Sequence, residues 1–445
     1  MKEKLTRFFK GGFLRALMVL AGGSLIANLF TALQQPLLTR IFSAEQLGAY
    51  SYLTSIPLMF IGVVCARYDA ALVYEEDESK LFALLKLNIV VTVLFSAVVT
   101  VLYAVYLFLF KPEYVQYWYL LPVLGLDLMG HGFTNILNAY NNRNGDYQLI
   151  SRMNVIRTAI RVFGVLIAGV IFISLLKLEW LSMTVLLLPA CAGLFFGMLS
   201  QAKNLRGHWG EILRVPWREV WASAKRHCKQ PLLSMPALYA NSLSYSAITL
   251  FIEGLYNETL LGYYSISTRL LGMPLSLISG NVSKVYVEQA AKEYAATGGY
   301  RKTFKKTFLF LLALAIPMFL VMYFLAPPVC EWLFGEGWHI AGKYIKILAL
   351  MFSVRFIATA VSPGLYVCRK QQHELVVQLV LLAGALLAGG LAFFTNAGIE
   401  QFLWYVCALK SLGFGFQIFM VYYFSNPKVH KRQNLKQRNN ERERV

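Results

Sequence analysis

Eight ionisable residues lie inside stretches that are otherwise long and apolar: Arg67, Asp69, Asp127, His131, Arg161, Arg269, Arg355 and Lys410. A charge at membrane depth costs several kcal/mol unless it is paired or faces water, so each of these either has a partner or marks a path for a polar ligand. The fixed cations outnumber the carboxylates five to two. An interior with that balance repels cations and attracts phosphate or carboxylate, which a guanidinium grips through parallel N–H donors. The cargo expected from these residues is anionic.

Each residue also has a structural reading. Arg67 and Arg161 lie close enough to the inner ends of their segments to snorkel into the headgroups, and for them both readings stay open. Arg269 lies about nine residues into its segment and Lys410 about eleven, too deep for easy snorkelling. With Arg355, these two are expected to line a cavity. Asp127 is either the partner of an arginine or a carrier of H⁺ or Na⁺, and Asp69 is the second candidate for ion coupling. His131, one helical turn after Asp127, is either a satisfied interior histidine or a proton relay. Asn28, Thr31, Gln34 and Gln35, with Asn241, Ser242, Ser244 and Ser246, either bond helix to helix or meet a hydroxyl-rich ligand.

The solvent of the elements that hold these residues is the bilayer. Of 445 residues, 57% are hydrophobic and 15% charged, whereas soluble domains approach about a quarter charged. Twelve apolar segments are expected near 14–38, 47–73, 81–110, 118–140, 149–175, 180–202, 231–255, 260–283, 305–326, 341–367, 373–395 and 399–424. Each is close to the roughly 20 residues that cross about 30 Å of hydrocarbon. The fold class is thus an all-α polytopic membrane protein with 12 transmembrane helices. Prolines within the segments, among them Pro36, Pro57, Pro189, Pro274 and Pro363, predict kinked or broken helices.

A weak internal repeat organises them. Leu47-Gly48-Ala49-Tyr50-Ser51 is matched by Leu261-Gly262-Tyr263-Tyr264-Ser265 at an offset of 214 residues, and Tyr140, Arg143 and Leu149 by Tyr366, Arg369 and Leu375 at 226. Two six-helix bundles, 1–202 and 231–424, are expected, related by a pseudo-twofold along the membrane normal and able to rock about a central cavity. A basic amphipathic connection over 203–230 joins them, and a charged tail occupies 425–445.

The net charge of +19 does not form a nucleic-acid stripe, because most Lys and Arg flank the apolar segments. Clusters within 2–10, 203–229, 284–306 and 428–444 alternate with sparsely charged connections, which places both termini in the cytoplasm. The 203–229 stretch carries Trp209, Trp217 and Trp221 and reads as a helix lying on the inner leaflet, attracted to anionic lipids. The N-terminus, basic and then apolar without a small-residue cleavage site, reads as an uncleaved first span.

No G-x-x-x-x-G-K-[ST] motif occurs, and the six scattered cysteines predict neither disulfides nor a metal site. No cofactor, metal or catalytic constellation is expected. The longest outer connection, near 326–340, leaves no room for the outer domain of a membrane enzyme.

The segments F-S-A-E-Q-L-G-A-Y-S (42 to 51), A-R-Y-D-A-A-L-V (66 to 73), N-N-R-N-G-D-Y (141 to 147) and L-F-G-E-G-W-H-I-A-G-K-Y (333 to 344) resemble the polysaccharide-transporter branch of the multidrug/oligosaccharidyl-lipid/polysaccharide exporter superfamily. The resemblance covers essentially the whole chain. It implies a flippase that moves an undecaprenyl-diphosphate-linked oligosaccharide to the outer leaflet of a bacterial plasma membrane, for O-antigen, capsule or exopolysaccharide. It implies a basic cavity for the diphosphate, a role that falls on Arg67, Arg269, Arg355, Lys410 and Arg161. A polysaccharide polymerase and a chain-length regulator are the implied protein partners. Lipid II flippases of the superfamily usually have more than twelve spans, which points this chain toward a surface-polysaccharide repeat. Two other functions compete: a drug/cation antiporter of the same fold, opposed by the cationic balance, and a polysaccharide polymerase or ligase, opposed by the short outer loops.

Overall fold

A computed structural model describes residues 12–75, 77–368 and 370–427. Most of the 425–445 tail and Arg369 lie outside the described residues. Among those described, every regular element is helical, the arrangement that lets a chain satisfy its backbone N–H and C=O groups without water. Eight helices are long and apolar enough to cross a membrane: Glu78–Phe110, Pro112–Arg143, Tyr147–Leu175, Glu179–Arg214, Arg301–Phe334, His339–Val367, Gln372–Thr395 and Ile399–Phe424. They coincide with the third to sixth and ninth to twelfth expected segments. The chain forms two compact units, the first ending at Leu250 and the second beginning at Phe251.

In the first unit, α1 spans Gly12–Ile41, α2 Ala44–Phe60, α3 Asp69–Leu72, α4 Glu78–Phe110, α5 Leu121–Arg143, α6 Tyr147–Ala168 and α7 Ser182–Gln201. The short α8 (Trp209–Arg214) and α9 (Trp217–Arg226) follow, and α10 (Met235–Leu255) runs across the boundary. α6 packs on both α1 and α7. Its approach to α7 is close: a Cβ at Gly193 would stand 2.6 Å from the Arg157 carbonyl oxygen. Backbone therefore occupies the α7-facing side of α6 where Arg157 and Arg161 sit. Their side chains reach other helices.

The second expected segment, 47–73, is not one helix. Ser43 starts α2 with a capping box, its hydroxyl accepting from Gln46 N–H, and α2 ends at Phe60. The chain then turns through 61–68, with Ala66 and Arg67 at φ +46° and +65°, before α3 begins. Left-handed backbone costs about 1–2 kcal/mol per non-glycine residue, so two in succession need outside support. Asn135 Nδ2 donates to the Ile61 carbonyl at 3.0 Å, and Cys65 Sγ lies 3.4 Å from the Gly132 carbonyl oxygen. Gly132 permits this seat, since a Cβ there would stand 2.4 Å from Thr92 Cγ2. Ala66→Gly should relieve part of the strain and raise stability by about 0.5–1 kcal/mol, read as a higher unfolding midpoint in detergent. An unchanged or lower midpoint would show that the turn is not strained there.

Asp77 caps α4, accepting from the Ser79 and Lys80 N–H groups, and Lys80 and Ser79 hold its carboxyl well below the usual carboxylate range. The 202–226 connection lies against α4 as short helical pieces. Lys86 Nζ donates to the Leu213 and Val215 carbonyls at 2.9 and 2.7 Å and stands 4.9 Å over the Trp217 ring. Ile212 and Val220 are buried while Trp217 and Trp221 are exposed. The Glu75 carboxylate meets Arg226 at 3.8 Å and His227 at 3.5 Å, and its carbonyl accepts from Arg143 Nε at 2.7 Å.

In the second unit, α11 spans Glu258–Pro274, α12 Gly280–Thr297, α13 Arg301–Phe334, α14 His339–Val361, α15 Gly364–Val367, α16 Gln371–Thr395 and α17 Ile399–Phe424. α14 is central, packed by α11, α13 and α17 and buried over most of its length. α2 and α11 are both 17 residues long, start after a side-chain cap (Ser43, Asn257) and keep the offset of 214 at both ends. The repeat read from five residues thus extends over a whole helix. After it the copies diverge: α2 enters the left-handed turn, whereas α11 continues through a wide π turn, Leu275–Ser279, into α12.

Candidate functional site

In the first unit, three helices, α1, α5 and α6, converge on a polar network. Asp127 and His131 share a face of α5, with Oδ2 3.7 Å from Nε2. Arg157 of α6 reaches the same His131 Nε2 at 3.2 Å. A guanidinium only donates, so Nε2 accepts and the proton of a neutral His131 lies on Nδ1. At 3.7 Å the Asp127 contact is electrostatic rather than a hydrogen bond. One turn further along α6, Arg161 Nη2 donates to Thr31 Oγ1 of α1 at 2.9 Å. Arg157 was not among the residues singled out by sequence. Its signal was there: Arg157 and Arg161 are four apart, as are Asp127 and His131, and the two pairs face each other.

Arg67 and Asp69 form a second cluster. Arg67 Nη1 lies 3.5 Å from Asp69 Oδ2, with the side chains 28% and 14% exposed. Arg67 Nε is buried and finds no hydrogen-bond acceptor among the described residues. The turn that carries them seats on α5 at Gly132, next to His131. A discontinuous helix with a guanidinium on its unwound backbone has the chemistry of an anion-binding segment.

In the second unit, Arg269 lies on α11, Arg355 on α14 and Lys410 on α17. Lys410 is fully buried. The Arg355 guanidinium stands 5.3 Å over the Phe352 ring. Among the described residues no group of three or more His, Cys, Asp or Glu side chains could hold a metal ion.

The family described as "Polysaccharide biosynthesis protein" matches residues 37–343. A "Probable lipid II flippase MurJ" of Bdellovibrio bacteriovorus is 25% identical over 195 residues, covering 42% of this chain. The match spans 36% of that relative's length. Among solved structures, a lipid II flippase MurJ in its inward closed conformation superposes with a TM-score of 0.67 at 12% identity, over 91% of this chain and 87% of that one. A MOP-superfamily transporter from Pyrococcus furiosus gives 0.59 at 13%, over 92% and 94%, and a MATE transporter of Vibrio cholerae 0.59 at 13%, over 93% and 95%. At these identities the likeness is one of fold.

Proposed function

The chain belongs to the polysaccharide biosynthesis protein family, which matches more than half of its length, and from that membership we propose that it is a flippase for an undecaprenyl-diphosphate-linked oligosaccharide repeat unit. It moves this cargo across a bacterial plasma membrane by alternating access, for O-antigen, capsule or exopolysaccharide. What supports the reading is a set of cations, Arg67 and Arg161 in one unit and Arg269, Arg355 and Lys410 in the other, of which Arg161, Arg355 and Lys410 sit in helices long and apolar enough to cross a membrane. A diphosphate in the bilayer needs such partners. The solved lipid II flippase of the same fold supports a lipid-linked cargo.

In this reading α1, α2, α10 and α11 join the eight apolar helices to make twelve spans, as bundles over 1–202 and 231–424, with both termini cytoplasmic. The 203–230 connection lies on anionic inner-leaflet lipids. A polymerase and a chain-length regulator are its protein partners, and Asp69 and Asp127 are the residues placed to couple an ion. The MATE neighbours favour a second reading, a drug/cation antiporter, which the surplus of arginine opposes.

Proteoliposomes decide between them. With the purified protein present, a polyprenyl-diphosphate-linked oligosaccharide in the inner leaflet should become accessible to an added, membrane-impermeant glycosidase, and a cationic dye should stay where it was loaded. Equal accessibility with and without protein, or dye movement under an imposed proton gradient, would overturn the assignment.

A further inference from the structure

Between the first turns of α13 and the last turns of α17 lies a groove of about 530 Å³, lined among others by Phe304, Lys305, Phe308, Gly415, Phe419 and Tyr422. The walls are largely apolar. Of the lining side chains, Lys305 and Tyr422 carry polar groups, and the Tyr422 hydroxyl already accepts from Arg301. The Arg301 guanidinium stands 4.7 Å over the Tyr422 ring. Phe304 and Phe308 stack with centroids 5.9 Å apart. The wall at Gly415 is open: a Cβ there meets nothing within 4 Å. Arg301, Lys302, Lys305 and Lys306 crowd the same end of α13, and Lys305 is exposed.

We propose that this groove holds one anionic glycerophospholipid, its phosphate at Lys305 and an acyl chain along Phe308, Gly415 and Phe419. A basic cluster beside an apolar slot between membrane helices selects an anionic headgroup over a zwitterionic one. The sparse polar lining could not satisfy the hydroxyls of an oligosaccharide, which separates this occupant from the cargo proposed above. The site goes beyond the flippase reading and stands whether or not that reading holds.

Native mass spectrometry of the delipidated full-length protein, titrated with phosphatidylglycerol or phosphatidylethanolamine, tests it. Wild type should retain one phosphatidylglycerol in preference to phosphatidylethanolamine. Lys305→Ala should weaken that binding about fivefold, the factor expected for one surface lysine. Gly415→Leu should fill the slot and abolish it, with the unfolding midpoint unchanged. Should Gly415→Leu not fold, Lys305→Ala alone decides, because its side chain is exposed. Equal retention of the two lipids, unchanged binding in Lys305→Ala, retention of a polyprenyl lipid instead, or a dimer that Gly415→Leu splits into monomers would each overturn the proposal.

Discussion

In the proposed flippase, exchanging Arg269 and Arg355 together for alanine should lower surface-polysaccharide export at least about a hundredfold, because the two charge-assisted contacts assigned to them there, worth about 1.5–3 kcal/mol each, leave with them. Lys410→Met separates transport from folding. It replaces a fully buried ammonium with an apolar chain of similar reach, a change that is commonly neutral or stabilising. A stable Lys410→Met protein that no longer exports would show that Lys410 is kept for the cargo. Wild-type export by the double alanine variant at wild-type protein level would remove Arg269 and Arg355 from the transport path.

The second large effect is expected in the first unit. Arg157→Leu deletes the cation beside His131 and leaves the Asp127 carboxylate, 17% exposed, facing an imidazole alone. Breaking a buried charge cluster by removing one partner costs about 3–5 kcal/mol, and Arg157→Leu should lose about that much stability. Adding Asp127→Asn removes the stranded charge and should recover about half. A double-mutant cycle in detergent reads the coupling directly. Strict additivity of the two changes would mean that Arg157 and Asp127 do not compensate each other.

Eight of the twelve expected apolar segments were legible because a run of about twenty apolar residues has few uses other than crossing a bilayer. Lys410 was legible for the same reason, a lysine amid Cys407, Leu409 and Leu412. The break after Phe60 was not. Residues 61–68 are as apolar as the helix before them, and the turn depends on Asn135 and Gly132, some seventy residues away. Nor could the sequence pair Glu75 with Arg226 and His227, since carboxylates carry little topological signal and the contact joins distant segments. The repeat was visible in Leu47 and Leu261 because cap and helix length are conserved in both halves of the chain, but it could not announce where the copies part.

α4 and α13 have 33 and 34 residues. At 1.5 Å of rise each is about 50 Å long, against about 30 Å of hydrocarbon. Tilt alone would need about 53° to hide that length, beyond the roughly 40° that membrane helices adopt. Each must therefore overhang, and its lysine-bearing first turns stand in the headgroup layer or past it. For α4 this puts the joint made by Lys86 with Leu213 and Val215 at the water boundary. The two long helices act as props cut to a fixed height. A thicker bilayer would draw the overhanging ends inward and load that joint first.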